Sequence, residues 1–238
     1  MQLETNKRRR GRKYQLAKVK KQIPHPDTWA ERLEPSDKIL ILACGALSKE
    51  ISALIRLNGW THLKTRYLPA ILHNTPEIIA EQLRFNLQSA QAKFSRIFIG
   101  YADCGTGGEI DSLLDEFGVQ RLPGAHCYEF YSGNQSFAGM MDEEPGSFFL
   151  TDFLVEAFEK LVWQGMKIDR YPELLEVYFK HYKKLVYLGQ TENTELQTQA
   201  GKISRRLGLK FEYRYTGYGE LAPALSALLK IYKWQKKP

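Results

Sequence analysis

Residues 39–43 read Ile-Leu-Ile-Leu-Ala, an unbroken apolar run of strand length. A strand with one wet face alternates apolar and polar positions. A run apolar at every position is buried on both faces, as inside a parallel sheet covered by helices. The next segment, 46–57 (ALSKEISALIRL), puts Leu47, Ile51, Leu54 and Ile55 at helical spacing and stops at Asn58-Gly59. The pattern then repeats. Strands are predicted at 62–68, 96–101, 185–188 and 209–215. Helices are predicted from Pro76, behind a Thr75 cap, to about Ala92, and over 109–117, 194–207 and 219–232. The middle is less regular. Val119–Leu122 is a short apolar segment, His126–Tyr131 suits a helix start or a strand, and 145–150 resembles an edge strand. A helix follows from Thr151 to Trp163, and another from Pro172 to Tyr182. This alternation predicts an α/β fold, three-layer and Rossmann-like, with a mostly parallel sheet of five to seven strands and helices on both faces.

The net charge of +7 is concentrated in one place. Residues 1–21 hold nine cations and one anion, Glu4, so the remainder of the chain is close to neutral at −1. We expect residues 1–35 to be a basic, disordered tail and residues 36–238 a single α/β domain. Such a tail can touch nucleic acid non-specifically, but no aromatic platform for bases follows it. No stretch approaches the roughly 18 apolar residues of a membrane span, so no membrane partner is expected. No secretory segment is visible, and three widely spaced cysteines make no disulfide framework. A reduced, cytoplasmic setting is expected.

Those cysteines are the candidates for chemistry. Cys44 ends the 39–43 run before Gly45. Cys104 ends the third strand before Gly105-Thr106-Gly107-Gly108, and Cys127 follows His126 after the Pro123-Gly124 turn. Ligands of open α/β sheets bind outside the carboxyl ends of the strands, where the pattern puts Cys44 and Cys104 and where Cys127 can reach. Free cysteine is also an ordinary buried small hydrophobe, and that reading stands beside the functional one. As a site, Cys44, Cys104 and Cys127 form a Cys₃ set. His73 is the likeliest fourth ligand, because its loop follows the second strand, and His126 is a competitor. Zinc suits Cys₃His, and three thiolates can also hold an iron–sulfur cluster. If no metal binds, Cys104 is the candidate nucleophile, with His73 or His126 as base. Both Cys44 and Cys104 are expected to have lowered pKa values at glycine-flanked helix starts.

No phosphate-loop, zinc-protease, Cys-x-x-Cys or nucleophile-elbow motif occurs. The loop Gly105, Thr106, Gly107, Gly108 follows a strand and opens a helix, but Ile110 takes the place of the third dinucleotide-binding glycine. Its N–H groups still suit an anion or a thiolate, and these four residues are the cofactor-contact candidates. Gly189-Gln190-Thr191-Glu192 and Thr216-Gly217-Tyr218-Gly219 also follow strands, and Thr191 is a further contact candidate. Turn and cap chemistry explains such residues equally well.

Together these stretches resemble the DUF1638 family. The resemblance rests on Ala43–Leu47 with Glu50-Ile51, Leu68-Pro69 with Leu72-His73-Asn74, Tyr101–Gly107, His126–Phe130, Pro145–Asp152, Leu188–Thr191 and Thr216–Gly219. It covers about 36–230 and leaves out the basic tail. The match is to the proteobacterial branch, with Ser147 where relatives tend to have threonine. The resemblance implies an association with corrinoid-dependent methyltransferases and folate one-carbon enzymes. Two expectations follow: an enzyme of one-carbon or methylated-amine metabolism with a metal or corrinoid at the thiol site, or a non-catalytic accessory partner of a corrinoid methyltransferase. A third reading, from the tail alone, is a nucleic-acid-associated protein.

Overall fold

The computed structural model describes residues 36–227, with side chains from Ile39 onward. The basic segment 1–35 and the end of the last helix lie outside the described residues. Within them, seven parallel strands alternate with helices, and the strands divide into two sheets. In the first, β1 (Ser36–Cys44) lies between β2 (Leu63–Leu68) and β3 (Phe94–Gly100), with β4 (Gln120–Arg121) outside β3. Ile39, Leu42 and Ala43 are wholly buried, as an apolar run in a central strand requires. Cys44 pairs with Leu68 and Ala43 with Gly100, so the carboxyl ends of the three strands are level. Cys44, the loop carrying His73 and the loop carrying Cys104 therefore open on one edge.

The second sheet is β5 (Ser147–Thr151), β6 (Lys184–Gly189) and β7 (Lys210–Tyr215), with β6 in the middle. β5 is an edge strand, as its sequence predicts. The α/β layering is the expected one, but the strands do not form one continuous sheet. β4 pairs only through Gln120 and Arg121, and Pro123-Gly124 ends it before it can template a neighbour. Two helices, α4 (Glu129–Ser132) and α5 (Asn134–Glu143), then carry the chain away to start the second sheet. The helix α5 is absent from the sequence reading. Phe137 and Met140 are at helical spacing, but Gly133 and Gly139 mask the pattern.

The remaining helices are α1 (Ser48–Leu57), α2 (Ile79–Gln91), α3 (Glu109–Phe117), α6 (Asp152–Phe158), α7 (Leu174–Phe179), α8 (Thr194–Leu207) and α9 (221–227). Both α1 and α2 are entered through a 3-10 turn, at Gly45–Leu47 and Pro76–Ile78. α8 has the predicted bounds because Asn193 caps it and Gly208, at φ +69°, closes it. α6 runs on into a π turn, Glu159–Trp163, whose Leu161 carbonyl accepts from Asn74 Nδ2 at 3.0 Å. Asn74 follows β2, so this bond ties the second half to the first.

Each sheet has its own apolar core. The chain nevertheless returns at its end. Leu221 and Leu225 of α9 are buried in the core of the first sheet. The return passes Gly219, at φ +43°, where a Cβ would lie 1.8 Å from the Tyr131 carbonyl oxygen, so only glycine fits.

Candidate functional site

The carboxyl ends of both sheets contribute to one seam. Cys44, the last residue of β1, caps the 3-10 turn, and its Sγ accepts from the Ala46 N–H at 3.3 Å. His73 Nδ1 stands 3.9 Å from the same sulfur and 3.0 Å from the Ala70 carbonyl oxygen. The carbonyl can only accept, so Nδ1 carries the proton and Nε2 is left as an acceptor. The His73 ring stacks on Tyr101, with centroids 6.1 Å apart and planes 10° from parallel. Tyr101 is buried, and among the described residues its hydroxyl finds no partner beyond the Cys44 thiol. All three thiols lie within electrostatic reach of that hydroxyl.

Of the residues singled out in the sequence, Cys44, Cys104, Cys127 and His73 are therefore brought together around Tyr101. His126 is not. It is exposed, with its ring against Tyr128 and Phe137. The turn that sends neighbouring side chains opposite ways is held by Glu129, whose carboxylate accepts from the N–H groups of Ala125 at 2.8 Å and His126 at 2.9 Å.

The expectation of acidic thiols is overturned. Burial pushes Cys44 up to about 12 and Cys104 up to about 11. Cys127 is also well above the usual thiol range, first through burial and then through the other two sulfurs. The Ala46 N–H does pull Cys44 down, as a helix start should, but one hydrogen bond does not offset the loss of water around a thiolate. His73 is lowered by burial, so the crevice holds neutral thiols and a neutral imidazole.

The glycine loop is occupied by its own chain. Asp103 accepts from the Gly108 N–H at 2.8 Å, the Gly107 N–H at 3.2 Å and the Thr106 hydroxyl at 2.9 Å. These bonds hold its carboxyl below the usual range, the Gly108 bond most of all. Of the N–H groups expected to cradle a cofactor, those of Gly105, Gly107 and Gly108 thus face the Asp103 carboxylate two to five residues back, and that of Thr106 donates to the Asp103 backbone carbonyl. Cys104 sits in this loop at φ +53°, a left-handed conformation rare for a residue with a side chain.

Thr191 has a similar partner. The buried Asp152 carboxylate accepts from Tyr187 Oη at 2.7 Å, the Gln190 N–H at 3.0 Å, the Thr191 N–H at 3.0 Å and Thr191 Oγ1 at 2.6 Å. Gln190 returns a bond, accepting from the Asp152 N–H at 2.8 Å. The conspicuous motifs at 145–152 and 188–191 are therefore the two sides of one buried lock between β5 and β6.

Sequence reasoning passed over Tyr101, Glu50 and Asp152. Glu50 carried a usable signal, since it shares the buried face of α1 with Ile51 and Leu54. It is only 4 % exposed, with Oε2 unpartnered among the described residues. Burial, then the nearby Asp152 and Glu156 charges, raise its pKa, and the Lys49 ammonium counters them. No group of three or more His, Cys, Asp or Glu side chains among the described residues is placed to hold a metal ion. No described helix is long and apolar enough to cross a membrane.

The family model described as a protein of unknown function, DUF1638, matches residues 67–225. That span takes in His73, the Cys104 loop, Cys127 and the Asp152 lock, and leaves out the Cys44 turn. No curated protein and no solved structure matches the chain.

Proposed function

The chain belongs to the DUF1638 family, and from that premise we propose that it is a thiol-site protein whose crevice binds a soft metal ion, zinc before an iron–sulfur cluster. One observation carries the reading: three thiols surround the buried Tyr101, and His73 stands 3.9 Å from the sulfur of one of them, Cys44; as placed, the four do not yet form a metal-holding group, so an ion would have to draw them together. Three thiols and an imidazole are the donor chemistry of zinc. Burial keeps those thiols protonated in the metal-free chain, so a divalent cation would have to displace protons, and affinity should rise with pH. Bound there, the ion would supply a closed structural centre or, with one position open, a Lewis acid for a small molecule entering at the carboxyl edge. Three free cysteines suit a reducing, cytoplasmic setting.

In the enzyme form of this reading the substrate belongs to one-carbon or methylated-amine metabolism, an assignment that rests on the family resemblance. Without a metal, Cys104 is the candidate nucleophile, with His73 or His126 as base. The accessory form, a partner of a corrinoid methyltransferase, draws on exposed side chains around α7, where Tyr171 is 51 % and Val177 60 % exposed. Metal analysis of protein purified without a chelating tag tests the core of the proposal. About one equivalent of zinc, lost in Cys44→Ser and Cys104→Ser, is expected; below about 0.2 equivalents, with none taken up on reconstitution, the metal reading fails.

A further inference from the structure

A partly open cavity of about 140 Å³ lies in the seam, with Cys127 in its wall. Its first wall is built by loops at the carboxyl edge of the first sheet, including Ala46, His73, Cys127 and Tyr131. Its second wall comes from the other half, from Leu154 of α6 and from Leu161 and Val162 of the π turn, among others. The Asn74–Leu161 bond holds the two walls together at the rim. No Asp, Glu, Lys or Arg lines it.

We propose that this cavity is the ligand site, and that its ligand is a small neutral molecule with an apolar body and one hydrogen-bond donor, a compact alcohol or thiol. The inference deepens the reading of the thiol crevice in its metal-free state, because His73 has one free nitrogen, Nε2, for an ion or for the ligand and not for both. Volume sets the size. An apolar cavity of about 150 Å³ accommodates benzene, so the ligand has roughly six to eight non-hydrogen atoms. That is far too small to enclose a nucleotide or a corrinoid, and a corrinoid partner would have to remain outside. Charge sets the class. A carboxylate, phosphate or ammonium group would enter without a counter-charge and lose its water. His73 sets the polar end: its Nδ1–H is taken by the Ala70 carbonyl oxygen, so Nε2 accepts and the ligand must donate. The Cys127 thiol on the same wall is a weak donor and a soft neighbour for a sulfur ligand.

The test uses benzyl alcohol, with benzoate and benzylammonium as charged isosteres, on the full chain stripped of metal, by calorimetry and ligand-observed NMR. Benzyl alcohol should bind with Kd on the order of 0.1–1 mM, the range open to so few atoms, and the charged isosteres at least about tenfold more weakly. Leu154→Trp fills the cavity from the wall away from the thiols. It should abolish benzyl alcohol binding by the stripped chain while zinc uptake on reconstitution stays at the wild-type level. Ala46→Leu, filling from the other wall, serves if the tryptophan variant does not fold. Equal binding of benzyl alcohol and benzoate, unchanged binding in a folded filled variant, or no benzyl alcohol binding at all overturns the inference. A stripped chain that binds benzyl alcohol and loses it on filling, but takes up no zinc on reconstitution, upholds the inference while ending the metal proposal.

Discussion

Replacing Asp152 tests whether the Pro145–Asp152 and Leu188–Thr191 motifs serve structure rather than a ligand. The carboxylate is 5 % exposed and takes four hydrogen bonds, two on each oxygen. Hydrogen bonds to a charged group contribute about 1.5–3 kcal/mol each, and a buried donor left without a partner costs about 1–3 kcal/mol. Asp152→Ala strands the Tyr187 hydroxyl and the Gln190 and Thr191 N–H groups, all at or near buried positions. Relaxation and shared partners keep the sum below simple addition, so we expect a loss of about 4–5 kcal/mol. Against the 5–15 kcal/mol that holds a typical domain, roughly a third or more of the stability would go. Asp152→Asn keeps one oxygen with its two donors but turns an NH₂ toward the Thr191 N–H; about 2–3 kcal/mol is expected. Thr191→Val deletes the hydroxyl alone, at about 1 kcal/mol. Urea unfolding followed by circular dichroism reads all three, provided the denaturant slope is unchanged. Asp152→Asn and Thr191→Val should couple by more than about 0.5 kcal/mol, because they remove two ends of one contact. A loss below about 1 kcal/mol in Asp152→Asn, or strict additivity with Thr191→Val, would refute the lock and return Thr191 to the ligand-contact candidates.

Two further predictions concern protonation. With Cys104 near 11 against an ordinary 9.0, iodoacetamide at pH 8 should alkylate it about a hundredfold more slowly in metal-free folded protein than in urea, the rate climbing as pH approaches 11; labelling of two or more thiols at the unfolded rate would contradict the buried, neutral crevice. Glu50 has a native pKa above its unfolded value of 4.5, so the folded chain holds this proton more tightly. Its contribution to stability is therefore greatest at low pH and declines as pH rises from about 4.5 through the native value. Glu50→Gln should flatten that decline and raise the urea midpoint at pH 7. A lower midpoint at every pH would mean that the charge itself is needed.

How much of this was legible depended on the range of the interaction. The two-sided burial of Ile39–Ala43, the cap and stop of α8, and the shared edge of Cys44 and Cys104 are consequences of neighbouring residues and of parallel pairing, and each was readable. The convergence of His73 with the thiols followed from the same edge argument. The second sheet was not readable, because it depends on β4 being too short to template a neighbour. Nor was the filling of the glycine loop weighed, although Asp103 stands within five residues of Gly108; a short acidic side chain just ahead of a glycine turn was the signal. The thiol pKa direction failed for another reason: a helix start acts through one N–H, while burial acts on the whole charged group. Asp152 and Gln190 are 38 residues apart, and no local pattern announces such a pair.

The return of α9 to the first sheet bears on how the chain is assembled during synthesis. The pieces of that core lie at 39–131 and at 221–225, with the whole second sheet translated in between. The second sheet and α8 can pack from one contiguous stretch as it leaves the ribosome. The first must wait, with the places of Leu221 and Leu225 open to water, until the far end of the message has been read. Closing that gap joins residues some ninety positions apart, the kind of contact that slows folding. The half that carries the thiols would thus be the later of the two to mature, and a product broken off after β7 would expose it to chaperones and proteases.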